Sequence, residues 1–538
     1  MNALLLAATP LAPLLLLAAL VVPALRGRAL ALLWLAPLPG LACAAFGTGE
    51  PFMVYARVRL TLALDQPSAM LLGGAALLWC AASVYVRAYI EREAHWRFAA
   101  WWLPTMAGSL GVFVAGDLVS FYFVFALASL PAWGLVIHDR TQRAWAAGAT
   151  YILMTVAGEA ALLAGFALLA AFTPDGSLAI ADVLSAAAEA PLRDLAIAFV
   201  VIGFGLKAGL VPLHVWLPLA HPAAPMPASA VLSGAIIKAG VIGLIRFLPL
   251  DVTPAAWGEV LAVIGFVTAF WGVLAGITQQ NPKTVLAYSS VSQMGVVAAA
   301  IGMGLAAGIG TTPQSAAFYA LHHVLAKGAL FLAVGVAAAT GGRVRWLVIA
   351  PAVLLALGFG GLPPAGGWLA KEAVKAELGN GLAATLSALS AAGSTLLMLH
   401  FTRRLAAGLA ADATARPPPG MLLPWLALAA ASVLVPWALF APAAGGDWAS
   451  VLTLDALAKA VTPVLAGALA VLALARWEHR LPPVPEGDII HLARRLLRVA
   501  SPLGNALARG EALLRRWPVA GLAMLVLTAA LGFVMMGR

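Results

Sequence analysis

The chain has 538 residues, of which 63% are hydrophobic, while 32 Lys and Arg with 22 Asp and Glu leave only 10% charged. Soluble domains carry about 25% charged residues, so this composition cannot cover a water-facing surface and places the chain in a bilayer. The formal charge of +10 comes without a basic patch interleaved with aromatics in a polar segment, so no nucleic acid is expected as a partner.

A hydrocarbon core about 30 Å thick takes about 20 apolar residues as helix. On that criterion the expected fold class is an all-α polytopic membrane protein with about sixteen transmembrane helices. The predicted spans are 3–25, 29–47, 66–89, 96–115, 117–137, 146–172, 194–213, 224–248, 256–278, 285–306, 313–338, 346–378 (interrupted), 380–402, 421–442, 456–475 and 518–536. The opening MNALLLAATPLAPLLLLAAL reads as a retained span, because it lacks a basic leading region and ends in Arg26 and Arg28. Cys43 and Cys80 lie inside apolar stretches and read as packing residues, leaving no disulfide framework or thiolate metal site.

Short loops on the cytoplasmic side collect Lys and Arg. Here Arg26 and Arg28, then Arg87, Arg92 and Arg97, Arg140 and Arg143, Lys283, Arg343 and Arg345, and Arg403, Arg404 and Arg416 fall on alternate loops. Asp175, Asp182, Glu189, Asp194, Asp251, Glu259, Asp447 and Asp455 occupy the loops between them. The alternation predicts an even number of spans, with both termini on the outer side of a bacterial inner membrane. In the polar stretch 476–517, His491, Arg494, Arg495 and Arg498 share one helical face while Leu492, Leu496, Val499 and Leu503 share another. That pattern predicts an amphipathic lateral segment along the cytoplasmic interface, broken or bent at Pro502 and Gly510, before a closing span.

An ionisable side chain at mid-membrane costs a few kcal/mol even on insertion scales. The predicted spans nevertheless contain Glu159, Lys207, Lys238, His322, His323, Lys327, Lys371 and Glu372. A network that only fixed helix packing would balance its signs more nearly, so the excess of Lys favours transport. Lys207 precedes Pro212, His214, Pro218, His221, Pro222, Pro225 and Pro227, and Lys371 follows Gly361, Pro363, Pro364, Gly366 and Gly367. Interrupted helices mark cavities rather than lipid-facing surface, and two of them at corresponding places point to repeats with an ion path between. Lysine suits such a path because burial and a nearby carboxylate act on its proton in opposite directions. His323 and Lys327, four apart, face the same way.

The stretches GLKAGLVPLHVWLPLAHPAAPMPASAVLSGAIIKAGVIGLIR (205–246), KTVLAYSSVSQMG (283–295), HHVLAKGALFLAVG (322–335) and GLPPAGGWLAKE (361–372) resemble the antiporter-like subunits of respiratory complex I, membrane-bound hydrogenases and Mrp-type multisubunit Na+/H+ antiporters. The likeness runs in order from about Asp65 to Arg404. It implies a fourteen-helix core with two inverted five-helix repeats, each containing a broken helix, around a proton-conducting polar axis. Lys207 matches the family's lysine on the first broken helix and Lys238 the bridging lysine on the next. His323 and Lys327 match the HxxxK pattern, and Lys371 the lysine that ends the axis on the second broken helix. Glu159 joins these as a pathway candidate, with His214, His221, His322, Glu372 and Ser290 as secondary ones. The implied division is 1–95 N-terminal helices, 96–250 first repeat, 251–405 second repeat, 406–475 C-terminal helices, 476–517 lateral segment and 518–538 closing helix. These last two are similar in layout to the end of the largest complex I antiporter-like subunit.

One departure stands out. The family carries a glutamate on the fifth helix, where this chain has Ala126. Glu159, on the neighbouring helix at similar depth, is the acid placed to form a displaced pair with Lys207. Asn281 stands where an acid is common before Lys283, a change expected to alter a loop contact.

The resemblance implies a proton-translocating subunit whose partners are the other membrane subunits of one complex, the lipid bilayer and protons, with Na+ as an alternative cation. With no cysteine cluster or nucleotide motif, no cofactor, metal or redox centre is expected in this chain. As an enzyme it is at most a subunit of a complex I-like or hydrogenase-like ion-translocating oxidoreductase, driven by quinone or ferredoxin chemistry elsewhere. Mrp-type cation exchange, transport coupled to inorganic carbon uptake, and a non-conducting structural subunit are the alternatives. Asp65, Asp117, Thr155 and Ser233 are too scattered in sequence to assemble a sodium site by inspection. Ser289, Ser290 and His323 read as packing and pathway residues rather than a nucleophile and base.

Overall fold

A computed structural model describes residues 2–47, 49, 51–55, 60–173, 176–249, 253–475, 482 and 484–490. Met1–Glu486 is one compact unit, and the second, Gly487–Arg538, is described only over 487–490. The expected amphipathic helix and closing span therefore lie outside the described residues.

Among the described residues, eleven helices are long and apolar enough to cross a membrane. They are Asn2–Val21, Gln66–Tyr89, Leu118–Val136, Gln142–Ala171, Met226–Phe247, Ala255–Gly276, Pro282–Ala307, Thr312–Ala338, Leu382–Ala407, Pro419–Ala444 and Leu454–Leu474. A twelfth is added if the pair Pro23–Ala31 and Leu33–Phe46, bent by 57°, counts as one span. The predicted span 29–47 is thus not straight. The bend falls at Leu32, between Arg26–Ala31 and Leu33–Leu35, and a second interruption precedes Leu38–Phe46 at Pro37, which has no amide to offer the Leu33 carbonyl. The predicted span 117–137 divides for the same reason at Pro131, into Leu118–Ser129 and Ala132–Val136. The spans expected at 96–115, 194–213 and 346–378 contain the shorter helices His95–Gly111, Arg193–Ala208 and Trp346–Gly358.

The fold is not purely helical. Phe52–Tyr55 pairs antiparallel with Leu60–Leu62 between the second and third predicted spans. Its β-branched and aromatic residues suit a pleated pair outside the apolar runs. The second strand is tied onward by Ala63 N–H to the Val114 carbonyl (2.9 Å) and Gly116 N–H to the Thr61 carbonyl (2.9 Å).

In lipid, helices gain little by burying apolar surface against each other, so close association relies on small residues and backbone approach. Ala255–Gly276 and Pro282–Ala307 show this arrangement. Gly258, Gly265 and Gly272 recur every seven residues along one edge of the first helix. A Cβ at Gly272 would stand 2.5 Å from the Ser292 amide nitrogen, and one at Gly258 2.6 Å from that of Ala306. Gly265 and Gly295 meet the opposing backbone at Ala299 and Ala269 in the same way.

At the centre stand the two helices that carry Lys238, His322, His323 and Lys327. The apolar window of Thr312–Ala338 is 100% buried and that of Met226–Phe247 94%, whereas the window of Leu454–Leu474 is 17% buried. His322, His323, Lys327 and Lys238 are therefore held inside the protein, away from lipid.

Candidate functional site

Lys207 lies in the last turn of Arg193–Ala208, which stops at Gly209 in the left-handed region (φ 83°). Its Nζ donates to Ser129 Oγ at 2.6 Å and lies 5.3 Å from the centre of the Phe125 ring. The break at Pro131 redirects the Trp133 amide to Leu130, and the Ser129 carbonyl accepts instead from the Tyr151 hydroxyl at 2.8 Å. Glu159, 7% exposed on Gln142–Ala171, faces both the Ser129 hydroxyl and the Lys207 ammonium. The two residues expected to pair are thus brought to one cluster with Ser129, whose hydroxyl accepts from Lys207 and donates to the Phe125 carbonyl at 2.7 Å. Ala126 sits one turn before Ser129 on the same helix.

Lys238 follows a π-helical turn over Leu232–Ile236. Such turns leave carbonyls out of the regular ladder and recur at functional sites. Lys238 Nζ lies 3.4 Å from the Ser233 carbonyl and 2.8 Å from His323 Nδ1. Ser233 Oγ and Ser290 Oγ are 2.7 Å apart, and Ser290 donates to the Leu286 carbonyl at 3.0 Å. Four residues along from His323, Lys327 Nζ donates to Ser289 Oγ (2.6 Å) and the Leu286 carbonyl (3.2 Å). It also lies 4.8 Å from the centre of the Phe359 ring. His322 faces Phe359 with ring centres 5.1 Å apart, and a Cβ on Gly367 would come 2.9 Å from its Cε1.

Lys371, half-buried, stands 6.0 Å from the Tyr319 ring. The Tyr319 hydroxyl donates to Gln293 Oε1 (2.8 Å), and Gln293 Nε2 to Ser394 Oγ (2.9 Å). Lys371 opens onto a cavity of about 310 Å³ that Glu372, Lys375, Asn380, Ser387 and Lys459 also line. Glu372 is held by Lys375 at 2.9 Å. His221 is fully buried between Trp216 and Phe331, with neither ring nitrogen hydrogen-bonded among the described residues. His214 is buried beside Tyr288, ring centres 6.4 Å apart. The candidates therefore fall into a Glu159–Ser129–Lys207 cluster, a Lys238–His323 pair with Lys327 beside it, and Lys371 at Tyr319. Among the described residues no hydrogen bond joins the first cluster to Lys238, or Lys327 to Lys371.

Residues 115–399 match the family described as the NADH:quinone oxidoreductase/Mrp antiporter transmembrane region. The chain belongs to this family. It is 32% identical over 298 residues to hydrogenase-4 component B of Escherichia coli (strain K12), covering 51% of this chain and 43% of that protein. Over 351 residues it is 33% identical to NADH-quinone oxidoreductase subunit N of Desulforudis audaxviator, covering 60% of this chain and 68% of the relative. Several curated relatives are therefore longer, and the chain spans less than half of hydrogenase-4 component B. The fold resembles a chain of the archaeal membrane-bound sulfane sulfur reductase, with a TM-score of 0.69, 20% identity and coverage of 88% of this chain and 99% of that one.

Family motifs point to lysines and histidines, and the residues that meet those cations were not anticipated. Ser129, Tyr319, Gln293 and Ser394 are buried partners, as is Ser289, which sequence reading assigned to packing. The run YSSVSQ over 288–293, polar inside an apolar span, was the available signal. Glu377, 2% exposed, was also missed. Lys283, expected as a loop lysine, is 7% exposed and donates to the Ala224 carbonyl at 2.5 Å, at the end of the helix Leu217–Ala223. Asn281 is the N-cap of Pro282–Ala307, accepting from the Lys283 amide at 2.9 Å. Asp65 caps Gln66–Tyr89 and pairs with Arg246 at 3.2 Å. Asp117 caps Leu118–Ser129 and accepts from the Thr61 amide at 2.7 Å. With Ser233 bonded to Ser290, these oxygens serve separate structural contacts, and among the described residues no group of three or more His, Cys, Asp or Glu is placed to hold a metal.

Proposed function

We propose that the chain is a proton-translocating, antiporter-like subunit of a larger membrane complex, with Glu159, Lys207, Lys238, His323, Lys327 and Lys371 as the conducting groups. The observation that carries this reading is the 2.8 Å contact between Lys238 Nζ and His323 Nδ1, both fully buried, with Lys327 one turn further along. A basic pair at that depth has no packing advantage over two apolar side chains, whereas a lysine amine and an imidazole can pass one proton between them. Glu159 stands in for the acid missing at Ala126, acting on Lys207 within their shared cluster. The sixteen-helix count, the paired inverted repeats, the outward termini in an inner membrane and the amphipathic lateral helix belong to the same reading. So does coupling, either to cation exchange or to quinone or ferredoxin oxidation in partner subunits.

The test is proton translocation by the assembled complex in inverted membrane vesicles, followed with a ΔpH-sensitive dye, for wild type and Lys238→Met. Loss of ΔpH with intact assembly is expected. Unchanged ΔpH would refute conduction along this axis and leave the non-conducting subunit, which Ala126 favours. Replacing Na+ by choline in the same vesicles separates cation exchange from a proton pump.

A further inference from the structure

Beyond the residues already assigned, one carboxyl group is buried without a partner. Glu377 belongs to the short helix Lys375–Leu378, just past the second interrupted helix. It is 2% exposed, and both carboxyl oxygens are buried without a hydrogen-bond partner among the described residues. Lys375, two residues before it, pairs with Glu372 instead. The polar side chains facing Glu377 are Thr312 and Ser315, in the first turn of Thr312–Ala338.

This position is continuous with the proposed path. Ser315, Tyr319, His323 and Lys327 recur at four-residue steps, so they form one stripe along Thr312–Ala338. Tyr319 in that stripe is the residue beside Lys371. Glu377 therefore meets the stripe at its end, at the helix N-terminus, where exposed amides favour negative charge. Cavities reach its immediate neighbours on two sides. Leu378 lines the cavity of about 310 Å³ that contains Lys371, and Thr312 lines another of about 350 Å³ with Gly310 and Pro313. The first, lined by Lys371, Glu372, Lys375, Asn380 and Lys459, is polar and large enough to admit water, whereas the second is lined mainly by apolar side chains. A buried carboxyl with no counter-charge, two facing hydroxyls and a helix dipole behind them is suited to take up and release a proton rather than to hold a fixed charge.

We propose that Glu377 is the terminal carboxyl of the conducting axis, exchanging protons with Lys371 on one side and the aqueous face at the 379–381 loop on the other. The Lys371 ammonium gives up one proton and becomes an amine. The Glu377 carboxylate takes that proton, becomes the acid and releases it to water, and the reverse sequence serves uptake. The proposal rests on the conducting reading of this chain.

The experiment compares Glu377→Gln, Glu377→Asp and Lys327→Met in the assembled complex, in vesicles. Glutamine keeps the shape and hydrogen-bonding capacity of the side chain and removes proton exchange. The expected result is a fall in translocation of about a hundredfold for Glu377→Gln, the scale of a lost positioned acid–base group, with partial recovery in Glu377→Asp. If Lys327→Met stops transport and Glu377→Gln retains more than half of it, Glu377 is not on the path and the conducting reading stands. Should neither variant matter, both fail. A purely structural cap at the helix N-terminus would remain ionised, so the wild-type complex is also treated with a hydrophobic carbodiimide, which modifies only protonated carboxyls. Label at Glu377 on peptide mass spectrometry supports the proposal, including where Glu377→Gln fails to assemble. Label at Glu159 with none at Glu377 overturns it.

Discussion

Glu159→Gln tests whether a displaced acid serves the first lysine. Lys207 is 5% exposed and hydrogen-bonds only the Ser129 hydroxyl among the described residues, with Glu159 in the same cluster. At a separation of about 5 Å and an effective dielectric of about 20, the attraction between an ammonium and a carboxylate is worth ~3 kcal/mol. Removing it changes the population of the charged lysine by roughly a hundredfold. The expected outcome is a drop in vesicle ΔpH formation of between about tenfold and a hundredfold, with assembly on native gels unchanged. Adding Ala126→Glu to the Glu159→Gln variant returns a carboxyl to the neighbouring helix, one turn before Ser129, and should recover much of the rate. A Glu159→Gln complex that assembles and keeps more than half of wild-type transport would refute the displaced-acid reasoning.

Three further outcomes are expected. His323→Ala, Lys238→Met and the double variant should lose transport to the same extent, because the 2.8 Å pair acts as one unit; additive losses in vesicle assays would show two independent groups. Ser289→Ala removes the hydroxyl that Lys327 holds at 2.6 Å, a charge-assisted bond worth about 1.5–3 kcal/mol, so transport should fall by about tenfold or more. An unchanged rate would place Lys327 off the path. Gly272→Leu drives a side chain into the Ser292 backbone, whose amide nitrogen is 2.5 Å from where even a Cβ would lie. The complex should be lost from native gels, whereas Leu274→Ala, on an exposed position of the same helix, should assemble normally.

How far the fold could be read from sequence depended on which physical constraint governed each element. Bilayer thickness and hydropathy located Gln66–Tyr89, Gln142–Ala171, Ala255–Gly276 and Thr312–Ala338 within a few residues, because a spanning helix has little freedom in length. The bend at Leu32 and the break at Pro131 were missed because hydropathy, averaged over an apolar run, registers neither a local change of backbone direction nor one missing amide. The strand pair Phe52–Tyr55 and Leu60–Leu62 fell outside any transmembrane criterion. At the site, family spacing located the lysines and histidines, and depth alone pointed to Glu159. Partner residues stayed hidden because Ser129, Ser289 and Tyr319 come from helices far apart in sequence, and a serine in a span is more often a packing residue. Lys283 misled for a related reason. A lysine beside a predicted loop reads as a topology marker, although its ammonium is turned inward onto the Ala224 carbonyl.

The partners chosen for the buried lysines bear on how fast a proton could move between them. Among the described residues none of Lys207, Lys238, Lys327 and Lys371 forms an ion pair, although ion pairs are made elsewhere by Arg246 and Lys375. The four are met by the Ser129 hydroxyl, the His323 ring, the Ser289 hydroxyl with a carbonyl, and the Tyr319 ring. Breaking a buried ion pair costs about 3–5 kcal/mol, and breaking one charge-assisted hydrogen bond about 1.5–3 kcal/mol. At about 1.4 kcal/mol per decade, the difference makes departure from a hydroxyl or imidazole roughly tenfold faster than from a carboxylate. A direct Lys–Glu contact at each step would therefore turn a relay into a series of traps. Glu159, which shares a cluster with Lys207 without forming an ion pair with it among the described residues, fits the same requirement, since it attracts the proton to Lys207 without holding it there.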